Sequence, residues 1–202
     1  TVFSTKGGSG RTVIASNLAV CFAQTGMRTL LLDLDLHSGD CALVLGLAPR
    51  ATMLDLVTGP APDADALARA VTRHVSGADV LAAPARPEDE ELVSVARLGL
   101  LLETARASYD AVVIDAASAF SATTLLALDH TDTLLLVGAP DVPAVRSVRI
   151  ALETLDLLEL DLPDVRIVMN RAGADVGLET ADIEATLRRE IAYALPSDRA
   201  VP

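Results

Sequence analysis

The chain of 202 residues has the size of one domain with a substantial core. Its 16 Lys and Arg against 28 Asp and Glu leave a formal charge of −12, which speaks against a broad electrostatic footprint for nucleic acid. Aromatic residues make up 2% and Trp is absent, so there is no stacking platform for single strands and the core must be aliphatic. No apolar run approaches the roughly 18 residues of a membrane-crossing helix.

In chain order, apolar runs of strand length alternate with helical patterns, the sign of a parallel sheet covered on both faces. The runs predict strands at about 1–4, 29–34, 79–83, 111–115, 133–138, 165–169 and 191–195. Helices are expected at about 11–25, 90–107, 121–130, 143–159 and 179–188, with shorter helical turns near 40–45, 52–57 and 64–73. The whole of 1–202 reads as a single α/β domain, and an opening without Met, already inside a strand, suggests a domain excised from a longer chain. Glu88-Asp89-Glu90-Glu91 reads as solvated charge opening a helix. Cys21 and Cys41, in apolar stretches, read as reduced core thiols of a cytosolic protein.

The first strand runs into Ser4-Thr5-Lys6-Gly7-Gly8-Ser9-Gly10-Arg11-Thr12, and a helix follows at once. Glycines let backbone N–H groups curl round a phosphate, and the helix N-terminus adds unpaired donors and the positive end of its dipole. The ordinary phosphate-loop pattern has Gly where this chain has Thr5 and Lys where it has Arg11. The second strand ends in Asp33-Leu34-Asp35, which alternation puts on one side of an extended chain, and Asp115 ends the strand that begins at Ala111. Asn170-Arg171 follows a later strand. The Asn170 amide can read an adenine edge or merely cap a strand end.

The loop, with its early lysine, resembles the deviant Walker A loop of the MinD/ParA ATPases, a SIMIBI-type branch of the P-loop proteins. That resemblance implies a three-layer α/β/α P-loop NTPase with a mostly parallel central sheet, binding ATP and Mg²⁺. Lys6 stands at the signature lysine, which reaches across an ATP-bridged homodimer and assists catalysis there. Gly7, Gly8, Ser9, Gly10, Arg11, Thr12 and Val13 would cradle the phosphates. Thr12, Asp35 and Asp115 would hold the metal. Asp35, 24 residues after Arg11, stands where relatives orient the attacking water. Asn170, Arg171, Pro196 and Asp198 would surround the base. Arg11 keeps the charge of the usual lysine in a bulkier, planar fork, which predicts nucleotide binding with hydrolysis slowed or lost. The segment Ala116-Ala117-Ser118 lacks the Thr/Cys-Pro-Pro that usually follows the Walker B aspartate, which weakens switching. Asp33 reads as structural, or as a support for the metal's ligands.

Asp33 to Asp40, Ala42 to Leu47, Ala139 to Arg146, Asn170-Arg171-Ala172 and Pro196 to Pro202 resemble the TadZ/CpaE pilus-assembly branch. Members commonly carry an N-terminal receiver-like domain. The branch implies a cytoplasmic protein at a cell pole or the inner face of the membrane, working with pilus and secretion assembly proteins. The alternatives are a scaffold that holds ATP without hydrolysing it, and a septum-site or partition regulator of the same superfamily. DNA as a partner runs against the charge.

Overall fold

The computed structural model describes residues 1–160, 162–173 and 178–197. Among the described residues, eight strands form one sheet in the order β3-β4-β2-β5-β1-β6-β7-β8. They are β1 (Val2–Phe3), β2 (Thr29–Leu34), β3 (Thr72–Arg73), β4 (Asp79–Leu81), β5 (Ala111–Ala116), β6 (Leu134–Gly138), β7 (Val165–Ala172) and β8 (Ile191–Pro196). All pairings are parallel except β3 with β4. The helices are α1 (Arg11–Gln24), α2 (Cys41–Val44), α3 (Met53–Val57), α4 (Ala64–Ala70), α5 (Val95–Ser108), α6 (Ala122–Asp129), α7 (Val142–Leu157) and α8 (Thr180–Leu187).

Alternation along the strands sorts the core into two faces. Leu30, Leu32 and Leu34 of β2, Ile114 of β5, Phe3, Leu134, Leu136, Ile167 and Met169 pack with α3 to α8. Val2, Leu31, Val113, Val137 and Val168 point the other way, against Ala15 and Ala19 of α1 and Cys41 of α2. The second face is only partly covered by the described residues. Beyond α1 an open groove of about 820 Å³ runs past Ile14, Phe22, Leu135, Val168 and Tyr193, and Tyr193 and Leu195 of β8 are exposed. With α1 and α2 on one face and α3 to α8 on the other, the sheet is the expected mostly parallel central layer between helices.

Three local readings are corrected. The helical turn expected over 64–73 stops at Ala70, because a turn with Gly77 at φ 94° folds Thr72–Arg73 back as a strand on β4. The acidic run forms a 3-10 turn, Pro87–Leu92, and the long helix starts only at Val95. Cys41 is buried as expected but Cys21 is exposed, on the outer side of α1, and both are free thiols.

This topology creates the site. β1 lies between β5 and β6, so the chain leaves the centre of the sheet in both directions, and the crevice at the carboxyl ends of the strands opens there. Into that end run the β1–α1 loop, the end of β2 with Asp35, β5 with Asp115, the β6–α7 loop with Asp141, and Asn170 of β7. No described helix is long and apolar enough to cross a membrane.

Candidate functional site

The glycine loop has the backbone its composition predicts. Gly8 and Gly10 adopt left-handed φ of 74° and 87°, and Gly10 is the N-cap residue immediately before α1. No side chain caps that helix and no acidic residue lies in its first turn, so its first N–H groups remain available to an anion. A Cβ on Gly7 or Gly8 would meet nothing, whereas one on Gly10 would collide with the Asn170 amide nitrogen. The loop is pinned from both sides: the Thr5 hydroxyl donates to Ser147 O at 3.1 Å, and Asn170 Nδ2 donates to Ser9 O at 2.9 Å. A small cavity of about 80 Å³ lies beside Ser4, Lys6, Gly8, Ser9, Gly138 and Arg171.

The side chain of Arg11 turns away from the loop and inward. The residue is 7% exposed, and each guanidinium nitrogen has its own acceptor. Nε donates to Asp115 Oδ1 at 2.8 Å, Nη2 to Asp35 Oδ2 at 2.6 Å, and Nη1 to the Ser118 hydroxyl at 2.6 Å. The cation expected on the phosphates thus sits between the two carboxylates expected to hold the metal. Burial pushes Asp115 above the ordinary carboxylate range, opposed first by the Arg11 charge and then by hydrogen bonding from Thr12, Arg11 and Cys41.

Asp33 and Asp115 are register partners in the parallel β2–β5 pair, which places two carboxylates side by side in the core. Asp33 is fully buried, and burial raises its pKa to about 7. It accepts the N–H of Cys41 at 3.0 Å and that of Asp35 at 3.2 Å, so it braces the turn after β2. The structural reading of Asp33 is the one this geometry carries. Cys41 Sγ approaches Asp115 Oδ2 at 3.5 Å, and burial beside the two aspartates pushes its pKa far up, keeping it a thiol.

Lys6 lies on the rim and is half-exposed. Its Nζ donates to Asp141 Oδ1 at 2.9 Å, and the same carboxylate caps α7 through Ala144 N. The Lys6 hydrogen bond, with help from the cap, holds the Asp141 carboxyl below its usual range. Asn170 spends its nitrogen on the loop and its oxygen on Arg171 N at 3.0 Å, so its amide is tied to backbone at both ends. Arg171 has φ 58° and lines the small cavity beside Lys6. Thr12 and Val13 lie in the first turn of α1, and Pro196 ends β8, paired with Ala172. Asp198 lies outside the described residues.

Sequence reasoning missed three members of this constellation. Asp141 stood only within the string Ala139 to Arg146, and Cys41 read only as core. Ser118 stood in a segment read for what it lacked, and its pairing with Arg11 spans 107 positions.

The family described as an AAA domain matches residues 1–165. The septum site-determining protein MinD of Thermotoga maritima is 26% identical over 203 positions, covering 96% of this chain and 73% of the relative. A ParA family ATPase from Chlorobium tepidum superposes with a TM-score of 0.90 at 25% identity, over 98% of this chain and 83% of that one. The MinD of Pyrococcus horikoshii, solved in complex with Mg-ADP, shares the fold with a TM-score of 0.83 at 21% identity, over 97% and 79%.

Proposed function

Because the chain belongs to the MinD/ParA superfamily of P-loop ATPases, through an AAA domain match over residues 1–165, we propose that it is a nucleotide-gated switch. It binds ATP at the glycine loop, pairs with a second copy of itself, and hydrolyses the nucleotide slowly or not at all.

One observation carries this reading: the loop backbone and the uncapped start of α1 are free to receive phosphate, while Arg11 is committed to Asp35 and Asp115. Binding draws on the backbone donors, which Arg11 does not touch. Hydrolysis draws on a cation at the transferring phosphate and on a carboxylate free to orient water. Arg11 is withdrawn from the first task and Asp35 from the second. Lys6 sits on the open rim, held by a surface ion pair that a partner's phosphate can outcompete. In the dimer it would reach the other subunit's nucleotide. Such a protein works through contacts that differ between nucleotide states, with little product chemistry.

The Tad-pilus role rests on the short strings that resemble the TadZ/CpaE branch, among them Ala139-Pro140-Asp141 and Asn170-Arg171-Ala172. It puts the protein in the cytoplasm, at a pole or the inner membrane face, with pilus assembly proteins as partners. A septum-site role is the second reading, favoured by the MinD relative from Thermotoga. Deleting the chromosomal copy separates them. Loss of surface pili with normal division on deletion supports the first, and displaced septa support the second.

Phosphate release tests the catalytic claim. The wild type should release little beyond one turnover, and Arg11→Lys should raise the rate by about tenfold or more. Ready turnover of many ATP by the wild type refutes impaired hydrolysis, and equal slow rates with and without Asp35→Ala leave only the holding scaffold.

A further inference from the structure

The residues expected to hold magnesium do not fit that ion as they stand. Mg²⁺ demands a near-octahedral shell of oxygens at about 2.0–2.1 Å and carries its own double charge. Between Asp35 and Asp115 that space is taken by a guanidinium at 2.6 and 2.8 Å, and a divalent ion would be set against a like charge. The other oxygen of Asp115 faces the Cys41 thiol. Asp33, the remaining carboxylate nearby, accepts a backbone N–H on each oxygen, and the buried cluster it forms with Cys41 and Asp115 brings a thiol, a soft ligand unsuited to magnesium.

We infer that the Arg11 guanidinium takes the electrostatic place of the divalent cation, so that this site binds nucleoside di- and triphosphates without magnesium. The inference rests on the nucleotide-binding reading above and specifies its chemistry. A divalent cation held there would neutralise the aspartates and supply positive charge to the nucleotide's phosphates. Arg11 performs the first task permanently. It is anchored at the first residue of α1, directly after the glycine loop, and its guanidinium stays on Asp35 and Asp115, so their charge is neutralised beside the loop whether or not a metal is supplied. Three features hold it there. Asp115 is fully buried and would be left without a counter-charge, Asp35 closes over the second nitrogen, and the Ser118 hydroxyl takes the third. A lysine at this position has no fork to span both carboxylates, and its compact ammonium is free to serve the phosphates. The aspartates would then be open to metal.

The test is titration calorimetry of the intact protein with ADP and with ATP, at matched ionic strength, in excess MgCl₂ and in excess EDTA. The wild type should bind with affinities within about threefold of one another in the two buffers, and Arg11→Lys should bind about tenfold or more tightly in magnesium than in EDTA. A wild-type affinity that falls about tenfold or more in EDTA overturns the inference while leaving the nucleotide site standing. Absence of nucleotide binding in both buffers overturns the proposed function, and this inference with it. Arg11→Lys that binds equally well in both buffers also counts against the assignment, because freeing the carboxylates would then have created no metal site. The wild-type comparison is decisive by itself if the variant fails to fold.

Discussion

Replacing Arg11 by Met removes the charge while leaving a stem of similar length in the same slot, so the perturbation falls on Asp35, Asp115 and Ser118. Asp35 keeps a fifth of its side-chain surface in water and can rehydrate, whereas Asp115 has none. The cost therefore concentrates on Asp115, a buried carboxylate stripped of its counter-charge. Breaking a buried pair by removing one partner costs about 3–5 kcal/mol, and the partial rehydration of Asp35 argues for the lower end. For a domain of this size about 3 kcal/mol corresponds to a fall in Tm of roughly 6–12 °C. The pH dependence identifies the cause. Arg11 is the largest influence holding the Asp115 pKa down against burial, so without it the folded-state pKa rises further above the unfolded value. A carboxylate raised in the folded state contributes stability that is present below the unfolded pKa and lost as pH rises through the folded pKa. The penalty of Arg11→Met should therefore be largest at pH 7.5 and shrink toward pH 5, and adding Asp115→Asn should recover most of it. Thermal unfolding by circular dichroism measures all three. A single variant within about 1 kcal/mol of wild type at pH 7.5, or a penalty unchanged by pH, refutes the claim that this ion pair anchors the site.

Asp33 gives a related profile: its folded pKa of about 7 lies above the unfolded value, so stability should fall as pH rises toward 7, by at most about 1.4 kcal/mol per unit, and Asp33→Asn should flatten that slope in urea titrations. Gly10→Ala should destabilise by about 1–2 kcal/mol from its φ of 87° alone, lose nucleotide binding as the Asn170 contact is displaced, and contrast with Gly7→Ala, whose Cβ has open space. A Gly10→Ala protein of wild-type Tm would count against the loop geometry. Lys6→Ala should leave the Tm unchanged within about 1 kcal/mol, because its pair with Asp141 is exposed, yet abolish any ATP-induced dimer seen by light scattering. An ATP-induced dimer that survives the substitution removes Lys6 from the interface.

The sheet was legible because buried parallel strands announce themselves as continuous apolar runs. Leu30-Leu31-Leu32 and Val112-Val113-Ile114 fall where the strands are. The β3 strand was not legible, since two residues, Thr72 and Arg73, carry no period and their pairing is imposed by the turn at Gly77. Cys21 shows the opposite failure: an apolar neighbourhood in sequence is no guide to which side of α1 faces the sheet, and that helix has small residues, Ala15 and Ala19, on its buried side. The glycine loop was readable residue by residue because its chemistry is local. Asn170 was readable as a polar residue at a strand end, and its bond to Ser9 O depends on β7 lying two strands from β1.

Arg11 sits between these cases, and it shows how two departures from a family pattern can be one. Taken separately, an arginine in the loop reads as a poor substitute for lysine, and Ala116-Ala117-Ser118 reads as an eroded switch. In the folded chain the parallel pairing of β2 and β5 brings Asp35 and Asp115 within reach of the first residue of α1. A guanidinium placed there has one nitrogen more than the two carboxylates consume, and Ser118 supplies its acceptor. A lysine ammonium carries all its donors on one nitrogen and lacks the planar fork that meets two aspartates and a serine with separate nitrogens. The serine is therefore explained by the arginine, and the arginine by a pocket of negative charge that a protein dispensing with the metal must neutralise in another way.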